Sequence, residues 1–128
     1  MPKYAHPDVL DNGPAYIKAN CNKVLLLSGY AFGDSYATVN TAKLAEATLV
    51  NGDFAITNNV NDRRLASPTG KSGNASASSG ASPDLHIAFV DTVNSKVLWV
   101  TDETSNQVIT SGNPVDFPQV TFNSAQPT

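Results

Sequence analysis

The segment Thr69-Gly70-Lys71-Ser72-Gly73 comes nearest, by residue type, to a nucleotide-binding site. In a phosphate-binding loop, glycines let backbone N–H groups wrap the phosphates and a lysine adds positive charge. The pattern also requires a glycine at position 65, where this chain has Leu65, with an apolar strand before the loop and a helix after it. Because these parts are missing, we expect no nucleotide site and no cofactor.

The two histidines, His6 and His86, are the next residues that could carry chemistry. A catalytic triad or a zinc site requires a histidine to find Asp, Ser or Cys partners in space. Asp84 lies two residues before His86 and therefore shares its face of a strand. Such a pair can bind a metal, but no second pair of ligands is in view. We therefore favour a solvent-side, hydrogen-bonded pair on a half-buried strand, and predict no metal site.

No other residue pattern points to catalysis. None of the serines stands in a Gly-x-Ser-x-Gly context, which argues against a serine hydrolase. Acidic residues such as the pair Asp102-Glu103 have no spacing that fixes a catalytic or calcium arrangement, and are most simply turn residues and caps. The sequence predicts a protein that is not an enzyme.

Trp99 is the single tryptophan and has two interpretations. It could be a stacking platform for a sugar, as in carbohydrate-binding β modules. With only one tryptophan, we favour a core residue or an anchor at a protein interface, because large aromatic side chains dominate both.

Composition limits the partners. The 128 residues carry a net charge of -3, and charged residues make up 15% of the chain, against roughly 25% in typical soluble domains. The basic residues are scattered apart from Arg63-Arg64, so no stripe neutralises phosphates and nucleic acid is not an expected partner. Abundant Ser, Thr and Asn give an uncharged polar surface that is cheap to desolvate against a protein, although the same residues also simply fill turns.

Hydropathy limits the cellular compartment that we expect, whereas the single cysteine does not. Cys21, the single cysteine, cannot form an internal disulfide and is interpreted as a small buried filler. No apolar run follows the first residues and nowhere do 18 apolar residues run together, so we expect neither a secretory signal nor a membrane partner. We expect synthesis in the cytosol.

Apolar periodicity predicts mostly strands. Pro14 begins a short helix through Asn20, and the continuous run 23–28 is interpreted as a strand covered on both faces. Asp34 is predicted to cap a brief helix through Val39. Residues 85–101 predict a hairpin that turns at Asn94-Ser95.

Three further segments complete the prediction. Asn51-Gly52 is the strongest short hairpin signal, with strands expected on each side. Residues 66–83, rich in Gly and Ser, are predicted to be a surface loop of a single domain, 1–128. Pro2 and Pro7 make residues 1–7 an extended arm or a frayed terminus, and the prolines after Val115 favour an edge strand or arm.

The predicted fold class is mainly β. We expect a single compact antiparallel β sandwich or barrel, with one or two short helices near the N-terminus and extended terminal arms.

The chain resembles small virion structural proteins of tailed bacteriophages. The resemblance is carried by residues 84–101, by 109–115 and by the terminal 126–128, and in the first half by 4–11, 16–18 and 33–37; it weakens between about residues 58 and 83. It covers most of the chain but contains no catalytic signature.

The resemblance implies a capsid decoration or cement protein, on or between subunits of the major capsid protein at the capsid surface of the virion. A dimer or trimer on the shell is expected, since copies on an icosahedral lattice meet through symmetric interfaces. The candidate partner-binding residues are Tyr4, His6, Trp99, Phe117 and Phe122. The alternative is a tail or host-recognition module that binds a cell-surface glycan through Trp99, Tyr30 and Tyr36.

Overall fold

The computed structural model describes residues 4–5, 13–58, 62–103 and 105–125. These residues form ten strands and two α-helices. In chain order they are β1 (Tyr4–Ala5), α1 (Pro14–Asn20), β2 (Lys23–Leu27), α2 (Tyr36–Thr41), β3 (Lys43–Thr48), a 3-10 turn (Asn51–Asp53), β4 (Ala55–Asn58), β5 (Asp62–Ala66), β6 (Lys71–Asn74), β7 (His86–Asp91), β8 (Lys96–Asp102), β9 (Pro114–Phe117) and β10 (Thr121–Ala125).

The strands form three antiparallel sheets. A five-stranded sheet has the order β1-β8-β7-β2-β3, a three-stranded sheet the order β10-β5-β4, and β6 pairs with β9. The sheets pack in the manner of a sandwich, and within the described residues they do not close into a barrel. The predicted mainly β, antiparallel fold is therefore confirmed, in its sandwich form.

The five-stranded sheet is covered on both faces. On one face, Val24, Phe89 and Trp99 belong to a core cluster shared with α1 and the other two sheets. On the opposite face, Leu25 and Val90 belong to a second cluster, which α2 covers. Strands buried on both faces read as continuous apolar runs, which explains why the run 23–28 was predictable as a strand.

Four aromatic rings join the two larger sheets. Phe89 stacks on Trp99 with ring centroids 4.5 Å apart, and Phe54 meets Phe89 edge-on at 6.2 Å. Phe122, on the three-stranded sheet, meets Trp99 edge-on at 5.5 Å. Offset and edge-to-face rings stabilise a core beyond the area that they bury.

Both predicted N-terminal helices form, but the second is capped by a different residue from the one predicted. Helix α1 begins at Pro14 as expected. Helix α2 is capped by Ser35, whose Oγ accepts a hydrogen bond from the Thr38 N–H at 3.3 Å. Asp34, the predicted cap, instead accepts from the Ala31 N–H at 2.9 Å in the preceding turn.

The hairpin predicted at Asn51-Gly52 is wrong. The strands on either side belong to different sheets, since β3 pairs with β2 whereas β4 pairs with β5. The Asp53 carboxylate accepts from the Val50 N–H at 2.8 Å, and Lys18 donates to the Asn51 and Phe54 carbonyls at 2.9 and 2.6 Å. These bonds close a 3-10 turn against α1 and direct the chain into the second sheet.

The prediction of a surface loop for residues 66–83 is wrong for residues 71–74, which form a strand. It contains β6, which pairs with β9, and the following Ala75 is 4% exposed. The Ser76 N–H donates to the Leu44 carbonyl at 2.7 Å, which holds this segment on β3. A Cβ at Gly73 would overlap the Glu46 carbonyl oxygen, so the small residues allow a close approach of two backbones.

Candidate functional site

The hairpin of β7 and β8 brings together the described residues whose chemistry is most distinctive. His86 opens β7 and Asp102 closes β8, and the two stand opposite each other in the antiparallel register. Asp84 lies just before β7. One histidine nitrogen and one oxygen from each of the two carboxylates lie within 4.8 Å of one another.

A one-residue bulge creates this pairing. At the turn Asp91 pairs with Lys96, and an unbroken ladder from there would put Thr101 opposite His86. The register shifts between Phe89 and Val90, and Asp102 faces His86 instead. The sequence gives no clear signal for a bulge, so reasoning from the turn alone could not have found Asp102 as the partner.

His86 is completely buried, so the predicted solvent-side location of its side chain is wrong. Its ring lies 6.0 Å from the ring of Tyr30, and its exposed fraction is 0%. The reason is that β7 is a central strand, flanked by β2 and β8, with both faces covered. Its Nδ1 contacts the backbone carbonyl of Asp84 at 3.1 Å.

The other ring nitrogen points at Asp102 without a hydrogen bond. His86 Nε2 lies 3.8 Å from Asp102 Oδ1, within the range of an ion pair but too far for a hydrogen bond. Among the described residues neither atom has a hydrogen-bond partner, although both are buried. Buried polar atoms are normally satisfied, so this arrangement is unusual.

The nucleotide-loop fragment has no phosphate-binding geometry. Lys71 begins β6 and forms an ion pair with Asp53 at 3.1 Å, and Gly73 packs on β3. The hydrogen bond from the Val50 N–H lowers the pKa of Asp53, and the pairing with Lys71 lowers it further. The Lys71 side chain therefore forms a structural ion pair within the fold.

The predicted partner-binding residues fall into three groups. Trp99 and Phe117 are each 5% exposed and lie in the core cluster. Phe122 is half-buried against the same cluster. The backbone of Tyr4 pairs with Val100 at the sheet edge, whereas His6 lies outside the described residues.

Two cavities differ greatly in size: an open surface depression of about 430 Å³ is lined by Ala37, Thr38, Thr41 and Ala42 of helix α2 and its C-terminal end, whereas a void in the core is very small. A void lined by residues including Val24, Phe89 and Phe117 measures about 10 Å³, whereas ligand pockets measure roughly 300–1,000 Å³. In the described part of the chain, no helix is long and apolar enough to span a bilayer.

Searches of protein-family models, curated proteins and solved structures with this chain returned no match.

Proposed function

We propose that the protein is a bacteriophage virion structural protein, a decoration or cement protein that binds the outside of the major capsid protein lattice and stabilises the head. The sequence resemblance supplies this identity. The function is adhesion, without catalysis.

The observation that best supports the proposal is the position of the terminal strands. β1 is the outermost strand of the five-stranded sheet, and β10 is the outermost strand of the three-stranded sheet. An edge strand offers unpaired N–H and C=O groups, to which an extended segment of another chain can add. β1 and β10 therefore each lie at a sheet edge where a segment of a neighbouring subunit can add a strand, as a cement protein requires.

The core and surface suit the same role. Aromatic contacts between the sheets give a rigid body, and the charged fraction of 15% leaves a surface that is cheap to desolvate. Many modest contacts, repeated over a symmetric shell, add up to strong binding. A homodimer or homotrimer on the capsid is part of the proposal.

The glycan-binding alternative loses the residue that chiefly motivated it. Trp99 is stacked on Phe89 in the core and is not displayed to a ligand. Tyr30 and Tyr36 are half-buried against the second core cluster. The glycan module therefore has no specific structural observation in its favour.

The test is binding to heads of the phage that encodes the chain, prepared without this protein. We expect the full chain to cosediment with these heads in fixed proportion to the major capsid protein, and to raise their resistance to heat. A variant lacking residues 1–7 should still fold, since β1 contributes two residues to the sheet, but should bind less.

Two results would refute the capsid role. One is the absence of the protein from purified particles by mass spectrometry, or its presence in only a few copies. The other is failure of the folded full chain to bind heads at any concentration tested. Full binding by the truncated variant would count against docking by the arm alone.

A further inference from the structure

The open end of the β7–β8 hairpin, opposite its turn, contains two buried polar atoms that face each other without a hydrogen bond. His86 Nε2 and Asp102 Oδ1 are 3.8 Å apart, and the His86 side chain is fully buried. Leaving buried polar atoms unsatisfied costs stability. A group placed between them would remove this cost.

The other contact of His86 identifies which kind of group fits. A backbone carbonyl can only accept a hydrogen bond, so the 3.1 Å contact with the Asp84 carbonyl requires that Nδ1 carries a hydrogen. In the neutral ring Nε2 then presents a lone pair to the Asp102 carboxylate, which is itself only an acceptor. Two acceptors that face each other repel, and a hydrogen-bond donor such as water, or a cation, placed between them would stabilise the pair.

We propose that this cation is a divalent transition-metal ion of the zinc type, bound by His86 Nε2 and by the carboxylates of Asp102 and Asp84. Zinc bonds to nitrogen and oxygen are about 2.0–2.2 Å long, so two ligands of one ion can stand 3.8 Å apart. The third ligand, the Asp84 carboxylate, lies within 4.8 Å of a His86 ring nitrogen and of the Asp102 carboxylate. The Nδ1–H bond to a carbonyl is also the usual way in which a metal-binding histidine is oriented.

Other cations fit the ligands less well. Calcium and magnesium select oxygen ligands, whereas imidazole nitrogen suits zinc and its neighbours. A proton on Nε2 would give an ion pair, but charge-assisted N–H···O bonds are normally about 2.7–2.9 Å long and this separation is 3.8 Å.

The ion would act as a structural clip. Asp84 is exposed and lies at the end of the Gly/Ser-rich segment, whereas His86 and Asp102 are the first and last residues of the paired strands. Joining the three fixes that segment to the hairpin. Such a metal site is independent of the proposed capsid role.

The experiment measures Zn²⁺ binding to the full chain after treatment with EDTA and dialysis. We expect one tight site per chain by competition with a chromophoric chelator, and a higher Tm with Zn²⁺ but not with Ca²⁺. Asp84→Asn should weaken binding about tenfold or more, because it removes a ligand from an exposed position without disturbing the core. Asp102→Asn should do the same.

Matched controls separate this site from others. Asp116→Asn makes the same change at another exposed aspartate and should bind Zn²⁺ as the wild type does. His6→Asn should also leave binding unchanged. In ¹⁵N NMR, Zn²⁺ should shift His86 Nε2 while Nδ1 stays protonated.

The proposal is overturned if the folded wild type binds no Zn²⁺ at submillimolar concentration, or if Asp84→Asn and Asp102→Asn bind it as tightly as the wild type. Doubly protonated His86 in the presence of Zn²⁺ would also overturn it, and would identify the pair as a buried ion pair.

Discussion

Among single residues, burial decides what a side chain can do. Trp99 was open to two interpretations from its type alone, and the structure places it against Phe89 and Phe122 in the core. Replacing a buried tryptophan with alanine typically costs about 3–5 kcal/mol of stability. Loss of ligand binding in such a variant would therefore report damage to the fold, and would not identify a binding surface.

Gly73 is the residue whose replacement tests the packing of β6 on β3. We expect Gly73→Ala to lower the free energy of unfolding by about 1–3 kcal/mol, because the added Cβ overlaps the Glu46 carbonyl oxygen, a backbone atom that cannot rotate away. Urea unfolding measures the change. Gly29→Ala is the matched control, since a Cβ there meets nothing within 4 Å. Equal stability of the two variants would contradict the close approach.

Among the elements, the predictable features were those with a local cause. The strand at 23–28 follows from an uninterrupted apolar run, and the turn at Asn94-Ser95 from polar residues between two such runs. The Asp91 carboxylate accepts from the Val93 and Asn94 N–H groups at 3.0 and 3.2 Å, a local turn that sequence can indicate.

Features with a distant cause could not be predicted. The Asn51-Gly52 signal fails because Lys18 of α1 ties this turn to another part of the fold. The His86–Asp102 pair depends on a bulge, and the strand at Lys71–Asn74 depends on its fit against β3. In each case a contact between remote residues overrides the local preference.

Strands β2 and β3 are joined by a charged cluster that makes stability depend on pH. Glu46 lies between Lys23 and Lys43, and hydrogen bonds from both lysines lower the pKa of its carboxyl. A carboxyl whose pKa is lower in the folded than in the unfolded chain stabilises the fold above its unfolded pKa, and this contribution is lost as the pH falls through the folded value.

We expect Glu46→Gln to lower the free energy of unfolding at pH 7 by up to about 1 kcal/mol, since the pair is partly exposed. The difference from the wild type should shrink once the pH falls below about 4.3 and vanish below the folded pKa. Urea unfolding as a function of pH checks this. Glu103→Gln, which keeps an oxygen to accept from the Ser105 N–H, is the control. A difference that persists at low pH would contradict the assignment.

On the scale of the whole molecule, the chain passes repeatedly between sheets. It leaves the five-stranded sheet after β3, builds β4 and β5 in the second sheet, returns for β7 and β8, and ends in the second sheet with β10. The core therefore forms only when distant parts of the chain meet, and we expect its unfolding to be cooperative.

Cys21 provides a probe of that cooperativity. Burial raises the pKa of its thiol to about 12, and its exposed fraction is 4%. Because the thiolate is the reactive form, the native protein should react with DTNB at pH 8 far more slowly than the protein in urea. The reaction should become faster in Gly73→Ala, with the logarithm of the rate rising in proportion to the lost free energy of unfolding. Equal rates for native and unfolded protein would show that the thiol is accessible without opening of the fold.

Because of the bulge in the β7–β8 hairpin, the strand register at the turn differs by one residue from the register at the open end. Residues 86–90 pair with β2 in the sheet, whereas the turn from Thr92 to Ser95 is held by hydrogen bonds to the Asp91 carboxylate and by two hydrogen bonds between Asn22 and Thr92, and it exposes Val93 at 82%. A peptide epitope or a fluorescent label grafted into this turn should therefore leave the rest of the hairpin in place. The turn is therefore a suitable position for a label with which to visualise the molecule.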